Sequence, residues 1–341
     1  MEWPSVLSKL ASSIDLSQTE ARAAMTEVMA GTTTPAQIAA FILALRMKGE
    51  TAEEMTGLVE AIRSVAVPVD IGDLDVVDVV GTGGDGSGTF NVSTTASLIA
   101  AGAGAKVAKH GNRSASSRCG SADVLEALGV RIDLTPDANV ALLAETGYAF
   151  FFAPLYHPSF RHAGPVRREL GIPTVFNFLG PLANPARARR HAIGVSDPRM
   201  AERMVGVLER LDSVFAFVFY GEDGLDEITT SAPSYIYRLR NGEVTHAEFT
   251  PEDFGIARSS VEELRGGDAL ENANIVRAIL AGESGPRRDA ALINTAPALV
   301  AAGLAPGFIE AMELAIASID SGAAAAVLER VVARSAELAK A

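Results

Sequence analysis

The run VVDVVGTGGDGSGTFNVSTT, residues 76–95, decides how the rest of the chain is read. Val76–Val80 is β-branched and apolar, the composition of a buried strand. It stops at Gly81-Thr82-Gly83-Gly84-Asp85-Gly86-Ser87-Gly88, where main-chain N–H groups can approach a ligand with no side chain in the way. Asn91-Val92-Ser93-Thr94 then opens a helix expected over Ser93–Ala101. Its first N–H groups and the Ser93 and Thr94 hydroxyls add to an anion site. A flexible turn capped by serine is the plainer reading. The coincidence of strand end, glycine loop and helix start favours phosphate.

Downstream, short strands alternate with helices. Lys106–Lys109, Ala149–Ala153, His191–Val195 and Val214–Tyr220 read as strands, and Ser121–Leu128, Pro136–Glu145 and Pro198–Leu211 as helices. Tyr235–Arg240 and Val244–Phe249 flank Asn241-Gly242, a hairpin signal. Ser260–Ala341 is mostly helical. The pattern predicts an α/β fold, with a mostly parallel sheet covered by helices on both faces. In such sheets ligands bind beyond the carboxyl ends of the strands.

Upstream, the chain reads as helical. Ser17-Gln18-Thr19-Glu20 is a capping box closed by Gly31, Thr34-Pro35 starts a second helix, and Thr51 with Glu54 starts a third. Pro68–Asp75 reads as a linker. The expected division is a helical domain over residues 1–70 and an α/β catalytic domain over residues 74–341. Three short helices with broad apolar faces must pack on the rest of the chain or on a second subunit.

The bulk numbers narrow the function classes. The chain has 341 residues, 48% apolar, and a formal net charge of −13. Such a charge repels nucleic acid and anionic membranes. An anionic ligand must be held by local groups that defeat the overall field. A single cysteine, Cys119, excludes an internal disulfide and a multi-cysteine metal site. The start, Met1-Glu2-Trp3-Pro4, gives no sign of a secretory leader, and the apolar runs are too short to span a bilayer. A cytoplasmic location is expected.

Gly81, Gly83 and Gly86 satisfy the dinucleotide-binding spacing, but the next strand ends in Lys109-His110 where that motif needs an acid. A nicotinamide or flavin site is therefore rejected. The loop Lys109-His110-Gly111-Asn112-Arg113 to Asp123 carries three fixed cations, a histidine and Ser114, Ser116, Ser117 and Ser121. Hydroxyls and cations at a strand end suit a second polyanion clamp. Ser121 could instead simply cap its helix, and Cys119 reads as a small packed residue. A third loop, Gly221 to Glu227, holds four carboxylates. Alone it is an acidic turn; beside two phosphate loops, Asp226-Glu227 suits a bridging Mg²⁺. Between Pro154 and Pro185, Arg167 or Arg168 facing the cleft would pair with a ligand carboxylate. Tyr156, Phe176 and Phe178 could wall an aromatic substrate, with core packing the default for the two phenylalanines. His157 and His162 are given no proton-transfer role.

The segments GTGGD (81–85), NVST (91–94), KHGNR with GSADVLEALG (109–129), PVRRELG with FNFLGPLANP (165–185) and GLDEIT (224–229) resemble the anthranilate phosphoribosyltransferase family, in the family's order. The resemblance implies a homodimer in which part of 155–185 completes the helical domain, with the active site between the domains. It implies that Gly81, Gly84, Asp85, Thr89, Asn91, Val92, Ser93, Thr94, Lys109, His110, Gly111, Asn112, Arg113, Ser117 and Ser121 surround phosphoribosyl pyrophosphate. Ser93, Asp226 and Glu227 would hold Mg²⁺. Gly81, His110, Asn112, Tyr156 and Arg167 would receive anthranilate. Arg118 and Cys119 stand where the family mostly carries Lys and Ser, keeping charge and size. A pyrimidine nucleoside phosphorylase and a non-enzymatic nucleic-acid-binding relative are the alternatives. The acidic pair argues against the first and the net charge against the second.

Overall fold

The computed structural model describes residues 2–114 and 117–340; Ser116 of the second loop lies outside them. The described residues open with α1 (Trp3–Ala11), α2 (Gln18–Ala30), α3 (Pro35–Lys48) and α4 (Ala52–Ser64). Ser17, Thr34 and Thr51 each accept from the N–H three residues on, and Glu20, Gln37 and Glu54 return the bond. Each such cap is worth about 1 kcal/mol. The sequence reading gave three helices here, and α1 is the one it lacked. Glu2 makes no side-chain cap bond, so α1 has no start signal beyond Pro4. It forms because Trp3, Val6 and Leu10 share one buried face.

After the linker come β1 (Val77–Gly81), α5 (Val92–Gly102), β2 (Val107–Gly111), α6 (Ser121–Leu128), α7 (Pro136–Thr146) and β3 (Tyr148–Phe152). Three short helices follow, α8 (Ala153–Tyr156), α9 (Gly164–Leu170) and α10 (Phe176–Leu179). Then β4 (Arg190–Gly194), α11 (Pro198–Arg210), β5 (Phe215–Gly221), β6 (Ser234–Arg240) and β7 (Glu243–Phe249) complete the strands. The C-terminal helices are α12 (Ala269–Leu280), α13 (Pro286–Ala301), α14 (Phe308–Asp320) and α15 (Ala323–Leu338). No single helix of the described residues is long and apolar enough to cross a membrane; α14 and α15 pass that test only as a pair bent by 63°.

The strands form one sheet in the order β3-β2-β1-β4-β5-β6-β7, parallel through β5 and antiparallel at β6 and β7. The expected mostly parallel α/β sheet is what the chain forms. One face packs against α5 and α12–α15 around Val77, Val79, Val107 and Phe217. The other packs against α1–α4, α9–α11 and the 175–183 segment around Ile193, Val195, Ala216 and Val218. The apolar faces of the N-terminal helices are thus buried largely within this chain. Each fully buried Leu, Ile or Phe contributes about 1.5–3 kcal/mol. The chain runs outward from β1 to β2 and β3, then returns to place β4 on the other side of β1. That reversal opens a crevice at the carboxyl ends of β1 and β4.

Candidate active site

Gly81 and Gly194, the last residues of β1 and β4, are directly paired. A Cβ on Gly81 would lie 2.3 Å from Asp226 Oδ2, and one on Gly194 would lie 1.7 Å from the Asp226 carbonyl oxygen. Two bare strand ends therefore let the loop after β5 fold over the crevice. Gly194 was not among the residues singled out in the sequence, since it stands in no glycine motif. Asn294 of α13 fixes the same loop from below. Its Oδ1 accepts from Ile228 N at 2.8 Å and its Nδ2 donates to Ile228 O at 2.9 Å.

The acidic pair so placed is almost wholly buried. Asp226 Oδ2 accepts from Gly83 N at 2.6 Å and Glu227 Oε1 from Ser93 N at 3.1 Å. One carboxylate thus ties the glycine loop and the other the start of α5. Burial, reinforced by the Asp85 charge, pushes the Asp226 carboxyl up to about 7. Glu227 is raised well above its usual range by burial and by Asp226. Lys109 faces them from β2, its Nζ 3.5 Å from Ser93 Oγ and donating to Val79 O. Burial brings Lys109 down to about 8, opposed by Asp78, Glu227 and Asp226. Buried carboxylates that outnumber their nearby cation need a further positive charge to stay ionised. A divalent cation fits that deficit. Among the described residues no three His, Cys, Asp or Glu side chains converge on one point. The protein would therefore supply few of the ligands, as suits Mg²⁺ bound with phosphate and water.

The glycine loop is ordered by Asp85, which accepts from Ser87 Oγ at 2.6 Å and Ser87 N at 3.3 Å. Thr89 bridges to Arg265, and Thr94 Oγ1 is buried at the start of α5 with no hydrogen-bond partner among the described residues. Asn91, at the N-cap, makes no cap bond. Its Nδ2 donates to Cys119 O at 3.2 Å, and its Oδ1 accepts from Asn272 Nδ2 at 2.9 Å. It thereby ties the two phosphate loops and α12 together. Burial pushes the Cys119 thiol up to about 11, in keeping with a packed residue.

In the second loop, Arg113 turns its charge to Asp123 at 2.8 Å and Glu126 at 2.5 Å. Ser121 Oγ donates to Asn112 O at 3.2 Å, and Ser117 Oγ lies 2.7 Å from Ser114 Oγ. Gly111 faces Ser121, whose Oγ would meet a Cβ there at 2.4 Å.

On the helical side, His110 Nδ1 lies 3.1 Å from Gly180 O. Against a carbonyl Nδ1 must donate, which leaves Nε2 as an acceptor, and Nε2 is buried without a partner among the described residues. Burial, and next the neighbouring His157, brings His110 down to about 3, so the ring is neutral. A run of ring contacts leads from it through His157 at 5.2 Å and Phe160 at 5.7 Å to Phe176 at 5.6 Å. The Arg167 guanidinium lies 5.1 Å from the Phe176 ring centre and has no carboxylate partner among the described residues. Arg168 is exposed, and Phe178 packs in the core. Tyr156 lies deeper than a cleft wall: its hydroxyl accepts from Asn139 Nδ2 at 2.8 Å within the core.

The geometry defines a class. The chain matches the helical bundle domain of the glycosyl transferase family over residues 4–66 and that family's a/b domain over residues 73–325. Among its relatives, the anthranilate phosphoribosyltransferase of Moorella thermoacetica is 53% identical over 327 residues, 96% of each chain. The crystal structure of the anthranilate phosphoribosyltransferase of Thermus thermophilus superposes with a TM-score of 0.92 at 41% identity, covering 97% of this chain and 99% of that one. The solved structure of the Saccharomyces cerevisiae anthranilate phosphoribosyltransferase in complex with PRPP and Mg superposes with a TM-score of 0.91 at 27% identity, covering 98% of both chains. This chain belongs to the anthranilate phosphoribosyltransferase family.

Proposed function

We propose that this protein transfers the phosphoribosyl group of 5-phosphoribosyl 1-pyrophosphate to the amine of anthranilate, giving N-(5-phosphoribosyl)anthranilate and pyrophosphate in tryptophan biosynthesis. One observation carries the reading. A glycine loop and helix start suited to phosphate meet a buried acidic pair suited only to a cation, over the paired ends of β1 and β4. The relatives' shared name and the PRPP and Mg of the yeast complex support it.

Asp226, Glu227 and Ser93 would hold Mg²⁺, the remaining positions going to pyrophosphate oxygens and water. When bound, the ion neutralises charge growing on the leaving pyrophosphate. The amides of the glycine loop, Thr94 Oγ1 and the start of α5 would receive phosphate oxygens. Lys109 would stabilise the charge released as the C1–O bond breaks. The attacking amine is a weak base, neutral at pH 7, and needs aim more than activation. Arg167 would take the anthranilate carboxylate. His110 Nε2 would accept from the amine and so help to aim it at C1. The new C1–N bond forms as the C1–O bond breaks and pyrophosphate departs, and the nitrogen then gives up a proton to water.

The same reading makes 1–70, with part of 155–185, a helical domain and 74–341 the catalytic domain. The packing of α9 on α3 and of α10 on α4 supports that grouping. It also makes the chain a cytoplasmic homodimer associating through the helical domain, where Met47 and Ile172 stand exposed. The test is loss of anthranilate fluorescence with PRPP and Mg²⁺. Turnover that stops on chelation and returns with Mg²⁺ is expected; no turnover with all three present would refute the assignment.

A further inference from the structure

β1 and β2 end in the two phosphate loops, yet their ladder is in register at one position only, Val77 with Val107. Every other neighbouring pair in the sheet is in register over five or seven residues. Past Val77 the main-chain groups that a parallel ladder would join are met by side chains instead. Asp78 Oδ1 accepts from His110 N at 3.1 Å. Asn184 Nδ2 donates to Asp78 Oδ2 and to Ala108 O, each at 2.8 Å, while its Oδ1 accepts from Ala186 N at 2.9 Å. From the opposite face Lys109 Nζ donates to Val79 O. Asp78 and Asn184 are fully buried.

This arrangement is a costly way to build a strand pair. An uninterrupted ladder would satisfy the same groups without burying a carboxylate. Burial pushes the Asp78 carboxyl up to about 6, against the Asn184 bond and the Lys109 charge. Where the ladder is interrupted, Lys109 turns toward Ser93 on one face of β2 and His110 toward Gly180 on the other. Those are the two residues given roles toward pyrophosphate and the amine.

We propose that Asp78 and Asn184 form a wedge between β1 and β2 that positions Lys109 and His110 for the transfer reaction. Asp78 is thus a positioning residue that touches neither substrate. The inference deepens the proposed function and rests on it for the roles of Lys109 and His110.

The wedge depends on an acceptor at 78 facing a donor at 184. Asp78→Asn sets an amide NH₂ against the Asn184 NH₂, and Asn184→Asp sets two carboxylates together. Exchanging both, Asp78→Asn with Asn184→Asp, restores one donor to one acceptor between the two side chains and keeps the bond from His110 N, while Ala108 O loses its donor as it does in Asn184→Asp alone. The full-length chain and these three variants are assayed with PRPP, anthranilate and MgCl₂ well below the lowest melting temperature. Each single variant is expected to lower kcat at least 30-fold, and the exchange to recover at least tenfold over Asn184→Asp. Folded single variants with kcat and both KM values within threefold of the parent would overturn the proposal, whatever their melting temperatures. So would an exchange variant no better than Asn184→Asp, which lacks the same donor to Ala108 O. If the single variants do not fold, Asn184→Ala, which adds no buried charge, is judged by the same kcat criterion. Hydrogen exchange of the Val107–Gly111 segment is read in parallel, without substrates. Faster exchange there in Asp78→Asn than in the parent is expected, and unchanged exchange would sink the wedge even if the parent is active. An inactive parent would instead sink the assigned reaction.

Discussion

Arg167 stands out among the basic side chains near the cleft because its charge is unspent. Arg113 is held by two carboxylates, whereas Arg167 lies on Phe176, half-buried, with no acid within ion-pair distance among the described residues. Burial lowers its pKa, as it does for a guanidinium kept from water without a partner. A planar, two-pronged donor beside an aromatic surface matches a benzoate-like carboxylate. Arg167→Ala is therefore expected to raise the KM for anthranilate roughly 10- to 100-fold, about 1.4–2.7 kcal/mol of binding. The KM for PRPP should stay within about twofold. Steady-state kinetics with each substrate varied in turn decides it, and equal losses on both sides would remove Arg167 from the anthranilate pocket. Asn294 is a residue-scale feature of a different kind. It satisfies both the N–H and the C=O of Ile228, the residue after the acidic pair, from a helix 66 positions away. Asn294→Ala orphans both buried groups and is expected to cost about 2–4 kcal/mol in urea unfolding. Stability unchanged within error would mean that solvent or a shifted loop replaces those bonds.

At the scale of elements, the crevice exists because two strands end in glycine and a third loop lies across them. Gly194→Ala puts a methyl group 1.7 Å from the Asp226 carbonyl, which must move. The expected result is a folded protein whose Mg²⁺ requirement, measured as the concentration for half-maximal turnover, rises at least tenfold. An unchanged requirement would show that the acidic loop does not need this seat. The same elements explain what the chain discloses in one dimension. The alternation of strand and helix, the capping boxes and the contiguous loops at 81–94, 109–123 and 221–227 were legible, because each is written in neighbouring residues. Their supports were not. Asn184 meets Asp78 across 106 positions and Asn272 meets Asn91 across 181, and no local pattern marks such partners. The one available signal was an amide following an apolar run, as Asn294 follows Ala290-Ala291-Leu292-Ile293 in α13. Side-chain direction was also hidden. Arg113 lies in the phosphate loop by sequence, but its charge is directed to Asp123 and Glu126. Tyr156 borders the cleft by sequence, but its hydroxyl is held in the core by Asn139. Helix α1 went unread because it begins without a cap.

For the molecule as a whole, a net charge of −13 frames the cost of burying Asp226 and Glu227 side by side with the Asp85 charge near them. Both members of the pair are raised on folding, Asp226 from the usual 3.8 to about 7. A carboxyl raised on folding is stabilising while protonated, below its unfolded value, and that contribution is lost as pH climbs through the folded value. Without divalent cation, the parent should therefore lose stability relative to the Asp226→Asn, Glu227→Gln variant between about pH 4 and pH 7. The difference should be on the order of a few kcal/mol. Mg²⁺ competes with protons for the same oxygens, so it should stabilise the parent more at pH 8 than at pH 5. At about 100 times its dissociation constant it would add about 2.7 kcal/mol. The double variant should show neither effect and should lose Mg²⁺-dependent turnover. Urea midpoints of both chains across pH, with MgCl₂ and with chelator, provide the measurement. Parallel pH curves, or equal Mg²⁺ stabilisation of both chains, would mean that the buried acids are neutralised by some other group and that the cation binds elsewhere.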